Sequence, residues 1–329
     1  MKQILTGILL CGLLITSHSA IAPAPAPWGF WAHQRINNMA LYTLPEELFG
    51  FYKPNLDYVT QHAVDPDKRR YAYADEAPRH YIDIDHYGTY PFDALPRKWN
   101  DAVVKYTEDS LNAYGIVPWY VEKMMNRLTD AFKEKDANYI LKTTADLGHY
   151  IADAHVPLHC TENYNGQMTG QVGIHGFWES RIPELMGEDF NYFTGKAEYI
   201  SDVNKKIWEV VLQSHSMVDS VLDFERELNA TFPSDQKYSF EMKGNSTVRV
   251  YSKAYTEKYN EMLNNMVERR MRETIIDLGS FWYTAWVNAG KPNLTGVELK
   301  PWTEAELKEM EDLDKSYGSG SDKSKFKEE

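Results

Sequence analysis

The sequence predicts an all-α domain, and three observations carry that expectation. Apolar residues recur at three- and four-residue intervals over long stretches, the period of an amphipathic helix. No strand-like segments alternate with those stretches, as a parallel α/β fold would require. The breaks between them are rich in Gly, Pro and Asn, as loops are. The 329 residues, 43% hydrophobic and 13% aromatic, supply ample apolar material for a core.

The chain opens with Lys2 and an apolar run over residues 4–15, followed by the small residues Ser17, Ser19, Ala20 and Ala22. Residues 1–22 therefore read as an export signal, and the run is too short to span a membrane. Ala22-Pro23, Ala24-Pro25 and Ala26-Pro27 follow as three X-Pro dipeptides. Residues 23–27 are read as a leader that an X-Pro dipeptidyl peptidase or a propeptidase would trim. Loss of the signal removes Cys11 and leaves Cys160 as the only cysteine. Without an internal disulfide, an exported chain must draw its stability from its core or from metal.

The main domain is expected over residues 28–302. Its first helical pattern, over residues 33–50, carries Ile36, Met39, Ala40 and Leu41 and meets Thr43-Leu-Pro45. A long pattern from about Pro118 to His155 uses Trp119, Val121, Met124, Leu128 and Phe132. After Lys135-Asp136 it resumes with Leu141, Ala145, Leu147 and Ile151. Residues 200–228 and 251–289 give two more helical patterns. Tyr87-Gly-Thr-Tyr-Pro91, Asn163-Tyr-Asn-Gly166 and Thr231-Phe-Pro-Ser-Asp235 read as loops. Residues 303–329 are charged and Gly/Ser-containing, and are expected to be a flexible tail. Asn229, Asn245 and Asn293 begin glycosylation sequons, which matter only in a glycosylating host.

The chemistry concentrates in His149-x3-Asp153-x5-His159 and His175-x3-Glu179. Residues four apart on a helix share a face, so each His/carboxylate pair can point at one cation. Imidazole and carboxylate are a donor set that zinc accepts. Taken alone, such a pair is more often a surface or core contact. Here the pairs accumulate with His33, which follows Trp28-Gly-Phe-Trp-Ala, and with Asp65-Pro-Asp67, which lies shortly before His80.

In this order, Trp28-x4-His33, Asp65-x14-His80, His149-x3-Asp153-x5-His159 and His175-x3-Glu179 resemble the trinuclear zinc enzymes of the phospholipase C/P1 nuclease superfamily. The resemblance covers most of residues 28–290. It implies an all-helical fold with long loops and three zinc ions at the base of a cleft. Carried over residue by residue, Asp65, His80, His149 and Asp153 would hold one ion, and His159, His175 and Glu179 a second. The amine and carbonyl of Trp28, with His33 and the other oxygen of Asp153, would hold the third. Asp65 would orient or deprotonate the attacking water, Lys68 would contact the substrate phosphate and Tyr81 would stack on a base. For Lys68 the plain alternative is a solvated lysine beside Arg69 and Arg70, and for Tyr81 a core aromatic. Asp83 and Asp85 either steady His80 through its second ring nitrogen or cap the following turn.

The resemblance thus implies an exported, zinc-dependent phosphoester hydrolase. The Trp-x4-His and Asp-x14-His spacings and Asp153-Ala-His-Val-Pro-Leu-His159, with Lys68 and Tyr81, make single-stranded nucleic acid the leading expectation for the substrate. Glu179, the short gap before His175 and the missing disulfides make a phospholipid head-group diester the runner-up. A zinc-binding protein without catalysis is the third expectation. The formal net charge of −13 argues against a broad basic surface for duplex nucleic acid. No stable protein partner is implied, and a monomer is expected.

Overall fold

The computed structural model describes residues 29–243 and 246–318. The signal, the leader, Trp28 and Asn245 lie outside the described residues. The chain is mostly helical, as the periodicity predicts, with one β-hairpin. Helices α1 (Phe30–Leu41), α2 (Glu46–Tyr52), α3 (Leu56–Gln61) and α4 (Asp65–Arg70) come first. Pro45 begins α2 and ends the first helical pattern earlier than its apolar spacing alone would. Two short helices, α5 (Trp99–Tyr106) and α6 (Glu108–Ala113), precede α7 (Val117–Glu134) and α8 (Ala137–His155).

The long 118–155 pattern is thus two helices. Lys135 adopts a left-handed conformation, and the Asp136 carboxylate accepts the Tyr139 N–H at 3.1 Å to start α8. A two-residue link makes α7 and α8 antiparallel neighbours. Beyond them, α9 (Ile174–Gly176), a wider i→i+5 turn over Phe177–Arg181 and α10 (Ile182–Met186) form one continuous helical stretch. Then come α11 (Val203–His215) and α12 (Val218–Thr231), the hairpin of β1 (Tyr238–Lys243) and β2 (Ser246–Tyr251), α13 (Lys253–Met262) and α14 (Met266–Asn288). The antiparallel pair, with Tyr238 opposite Tyr251, lies outside the helical expectation.

The centre of the molecule is α8, on which α1, α7, α11 and α14 all pack. Every α8 residue except Tyr139 and Lys142 is buried. A helix buried all round should be apolar, yet α8 carries Asp146, His149, Asp153 and His155. Buried polar groups are costly without partners, so these four demand them. Gly148 brings α1 and α8 together: a Cβ there would lie 2.2 Å from Asn37 Oδ1. Asn37 fixes that crossing by donating to the Ala145 carbonyl at 3.1 Å. One turn back on α1, this seats His33 against His149, their rings stacked at 4.0 Å.

The tail differs from expectation. Residues Glu304–Gly318 form a helix, α15, that packs on α4 and buries Leu313. Thr303 and Glu306 build a reciprocal cap at its start, with the Thr303 N–H on Glu306 Oε2 at 2.7 Å and the Glu306 N–H on Thr303 Oγ1 at 3.2 Å. That cap and the apolar anchor are why residues 303–318 are ordered.

Candidate metal centre

Eight side chains converge at the inner end of α8. His149 and Asp153 come from α8, His33 from α1, Asp67 from α4 and His80 from the segment before α5. His159 follows α8 on the turn Pro157–Cys160, and His175 and Glu179 share the α9 stretch. They fall into three groups able to hold a cation: His33/Asp67/His149, His80/His149/Asp153 and His159/His175/Glu179.

Asp153 joins them. Its Oδ2 faces His80 Nδ1 at 2.9 Å and His149 Nε2 at 3.2 Å. Its Oδ1 faces His33 Nε2 at 3.3 Å and His159 Nε2 at 4.0 Å. Glu179 bridges in the same way, with Oε2 at 2.7 Å from His175 Nε2 and 3.2 Å from His159 Nε2, while Oε1 lies 3.8 Å from His33. Gly29, at φ +101°, lies against this carboxylate, where a Cβ would come within 2.6 Å of Oε1.

The rings are aimed from behind. His149 Nδ1 donates to the Ala63 carbonyl at 2.9 Å, His159 Nδ1 to the His80 carbonyl at 2.7 Å and His175 Nδ1 to the Tyr164 carbonyl at 3.1 Å. Each bond fixes the tautomer that leaves the Nε2 lone pair facing the carboxylates, which is how metal-binding histidines are prepared. The His149 Nε2 and His80 Nδ1 atoms stand 3.1 Å apart. Two such nitrogens share that space when a cation or proton lies between them. The donor set, its burial and its prepared rings therefore fit divalent metal.

The electrostatics agree. Burial would raise the Asp153 carboxyl, but the His149 and His159 rings outweigh it and hold the group well below the ordinary carboxylate range. Burial would likewise raise Glu179, and its bonds to His159 and His175 hold it well below. His149 is pushed down by burial but carried well above its usual value by Asp153 and Asp67. Burial dominates at His80, whose pKa is lowered. These opposed shifts arise because the carboxylates and imidazoles of the cluster are buried against one another.

Three expected site residues make other contacts in this structure. Asp65 is not in the cluster: its carboxylate meets His62 Nδ1 at 2.5 Å and Lys68 Nζ at 3.3 Å. Positions two apart on a helix point to opposite sides, so Asp67 faces inward, at 3.5 Å from His149 Nε2 and 3.8 Å from His80 Nδ1. Asp65 thus has neither the ligand nor the water-orienting place that the spacing suggested. Lys68 turns away from the cluster to Asp314 on α15, at 2.9 Å. Tyr81 is only 8% exposed and packs under Gly115, so its ring offers no open face for a base. Asp85 caps the segment after His159, accepting the Thr161 hydroxyl at 2.7 Å and the Glu162 N–H at 3.0 Å. Residue Trp28, the remaining expected ligand, lies outside the described residues.

His155 and His215 make contacts outside the cluster. His155 donates to the Ile151 carbonyl at 2.8 Å and meets Asp277 at 3.2 Å, and His215 reaches the Cys160 carbonyl at 2.8 Å. Compared with known proteins, the chain matches no protein-family model and no curated sequence.

Proposed function

We propose that this chain is an exported, zinc-dependent phosphodiesterase of the phospholipase C type. The observation that carries the reading is Asp153, a buried carboxylate shared between two groups of histidines, of which His149 and His159 are already aimed by backbone carbonyls. His80, His149, Asp67 and Asp153 would hold one ion, His159, His175 and Glu179 a second, and His33 with Asp153 would contribute to a third. Bound there, zinc supplies an activated water and a clamp for phosphoryl oxygens. The chain's own part is to hold five imidazoles and three carboxylates in place, and to exclude bulk water from the inner groups by burial.

The nucleic-acid reading draws on the Trp28-x4-His33 and Asp65-x14-His80 spacings, the stretch over residues 153–159, Lys68 and Tyr81; of these, Asp65, Lys68 and Tyr81 are engaged elsewhere. What supports a phospholipid diester is Glu179, the short His159–His175 gap and two apolar side chains on the loop within that gap. Met168 and Val172 stand 70% and 68% exposed there, on the loop that also carries Tyr164, whose carbonyl aims His175. The test is one zinc-loaded preparation assayed on phosphatidylcholine vesicles, single-stranded DNA and RNA, with and without chelator. Chelator-sensitive release of the lipid head group is expected. Turnover of nucleic acid alone would overturn the substrate, and bound zinc with no turnover would favour a non-catalytic protein.

A further inference from the structure

His80 is turned the other way from its neighbours. His149, His159 and His175 each present Nε2 to the cluster and Nδ1 to a backbone carbonyl, whereas His80 presents Nδ1 to Asp153 and His149. Its rear nitrogen, Nε2, is buried and makes no hydrogen bond. The group behind it is a carboxylate: Glu76 Oε1 stands 3.8 Å away. Glu76 is itself only 1% exposed.

The surroundings of Glu76 hold it ionised and in place. Its Oε1 accepts a short hydrogen bond from the Tyr150 hydroxyl, and its Oε2 pairs with the Arg79 guanidinium and lies 3.5 Å from Arg69 Nε. Arg69 is fixed in turn by Asp146 at 3.0 Å and by the Tyr150 oxygen at 3.1 Å. Two guanidiniums steady this buried carboxylate, and it faces a cluster histidine whose rear nitrogen has no carbonyl behind it.

We infer that Glu76 is the positioning carboxylate of His80, accepting its Nε2–H and so leaving the Nδ1 lone pair to the metal. The inference rests on the metal-centre reading. A rear carboxylate also makes the imidazole a stronger donor than a carbonyl does, because the acceptor is charged. Glu76 touches no substrate in this role and acts only through His80.

The test uses the full chain. In zinc-loaded protein with 15N-labelled histidine, His80 is expected to carry its ring proton on Nε2, while His149, His159 and His175 carry theirs on Nδ1. A proton on His80 Nδ1 overturns the inference, and this measurement needs no variant. E76Q is expected to weaken one zinc by about 10–100-fold in chelator competition, with the other ions held as in the wild type. Y150F, which removes another contact of Glu76, should keep all ions. Wild-type zinc affinity in folded E76Q would show that Glu76 serves packing alone and would overturn the assignment. Failure of the wild-type chain to bind zinc is a separate result, and overturns the metal centre with it.

Discussion

His149 and Asp153 stand on α8, an unbroken helix of 19 residues, whereas His159, His175 and Glu179 stand on short turns joined by the loop over residues 161–173. The inner side chains of His80 and His149 are fully buried, while those of His175 and Glu179 are 11% and 12% exposed. Behind the inner half lies the charged network of Arg69, Glu76, Arg79, Asp146 and Tyr150. Behind the outer half lie backbone carbonyls and the side chain of Asn165, which accepts the Gly173 N–H at 2.8 Å. The difference separates two tasks. The inner half is a rigid, desolvated anchor that must satisfy every buried charge. The outer half is slightly open to solvent, on the side from which the proposed substrate would reach a bound ion.

Asp153 is the residue on which both halves depend, so its loss should give the largest effect. D153A is expected to lose two ions together, measured by elemental analysis, and activity with them. An ion present at a thousand times its Kd stabilises by about 4 kcal/mol. At roughly 2–4 °C per kcal/mol for a large domain, the zinc-dependent rise in Tm should shrink by about 10 °C or more. Loss of a single ion would break the picture of a carboxylate shared between halves. H175A should instead empty the outer half alone.

How much of this was legible follows from which contacts are local. The His149/Asp153 and His175/Glu179 pairs could be read because four residues on a helix fix both distance and direction. Asp67 could not be separated from Asp65 by counting along the chain to His80. Direction decided between them, and direction depends on how α4 lies against α8. Glu76-x3-His80 has the same spacing as those pairs, so the signal is present in the sequence, beside the competing carboxylates Asp83 and Asp85 on the other side of His80. Lys68 and Tyr81 were placed by resemblance, and neither burial under Gly115 nor capture by a distant α15 leaves a local trace. The hairpin is a similar case: Tyr238, Phe240 and Met242 alternate as a strand does, in a stretch too short to weigh against the helical periodicity around it.

The second prediction separates the two carboxylates of α4. D67N should weaken one inner ion by at least tenfold, a loss on the order of that seen when a ligand's support is removed. D65N should keep the full zinc content. Its cost should be within about 1 kcal/mol, as for an ion pair near the surface. Denaturant melts of the chelated proteins, beside chelator competition of the loaded ones, read both quantities. Equal loss of zinc in the two variants would return Asp65 to the cluster and undo the inward assignment of Asp67.

The smallest effect is expected at the outer edge of the inner half. Asp314 on α15 holds Lys68 on α4, only one residue from Asp67. Asp314 is 68% exposed, so the pair is screened by solvent and worth less than about 1 kcal/mol. If α8 and the buried arginine network set the position of Asp67, D314A should leave zinc content and Tm almost unchanged. It also frees Lys68 from one of its two carboxylates, with Asp65 still 3.3 Å away. Head-group release from phosphatidylcholine and cleavage of single-stranded DNA by D314A should then match the wild type. A several-fold gain on DNA alone would mean that α15 withholds a lysine from a nucleic-acid phosphate, and the comparison would have to include a third, regulated region beside its inner and outer halves.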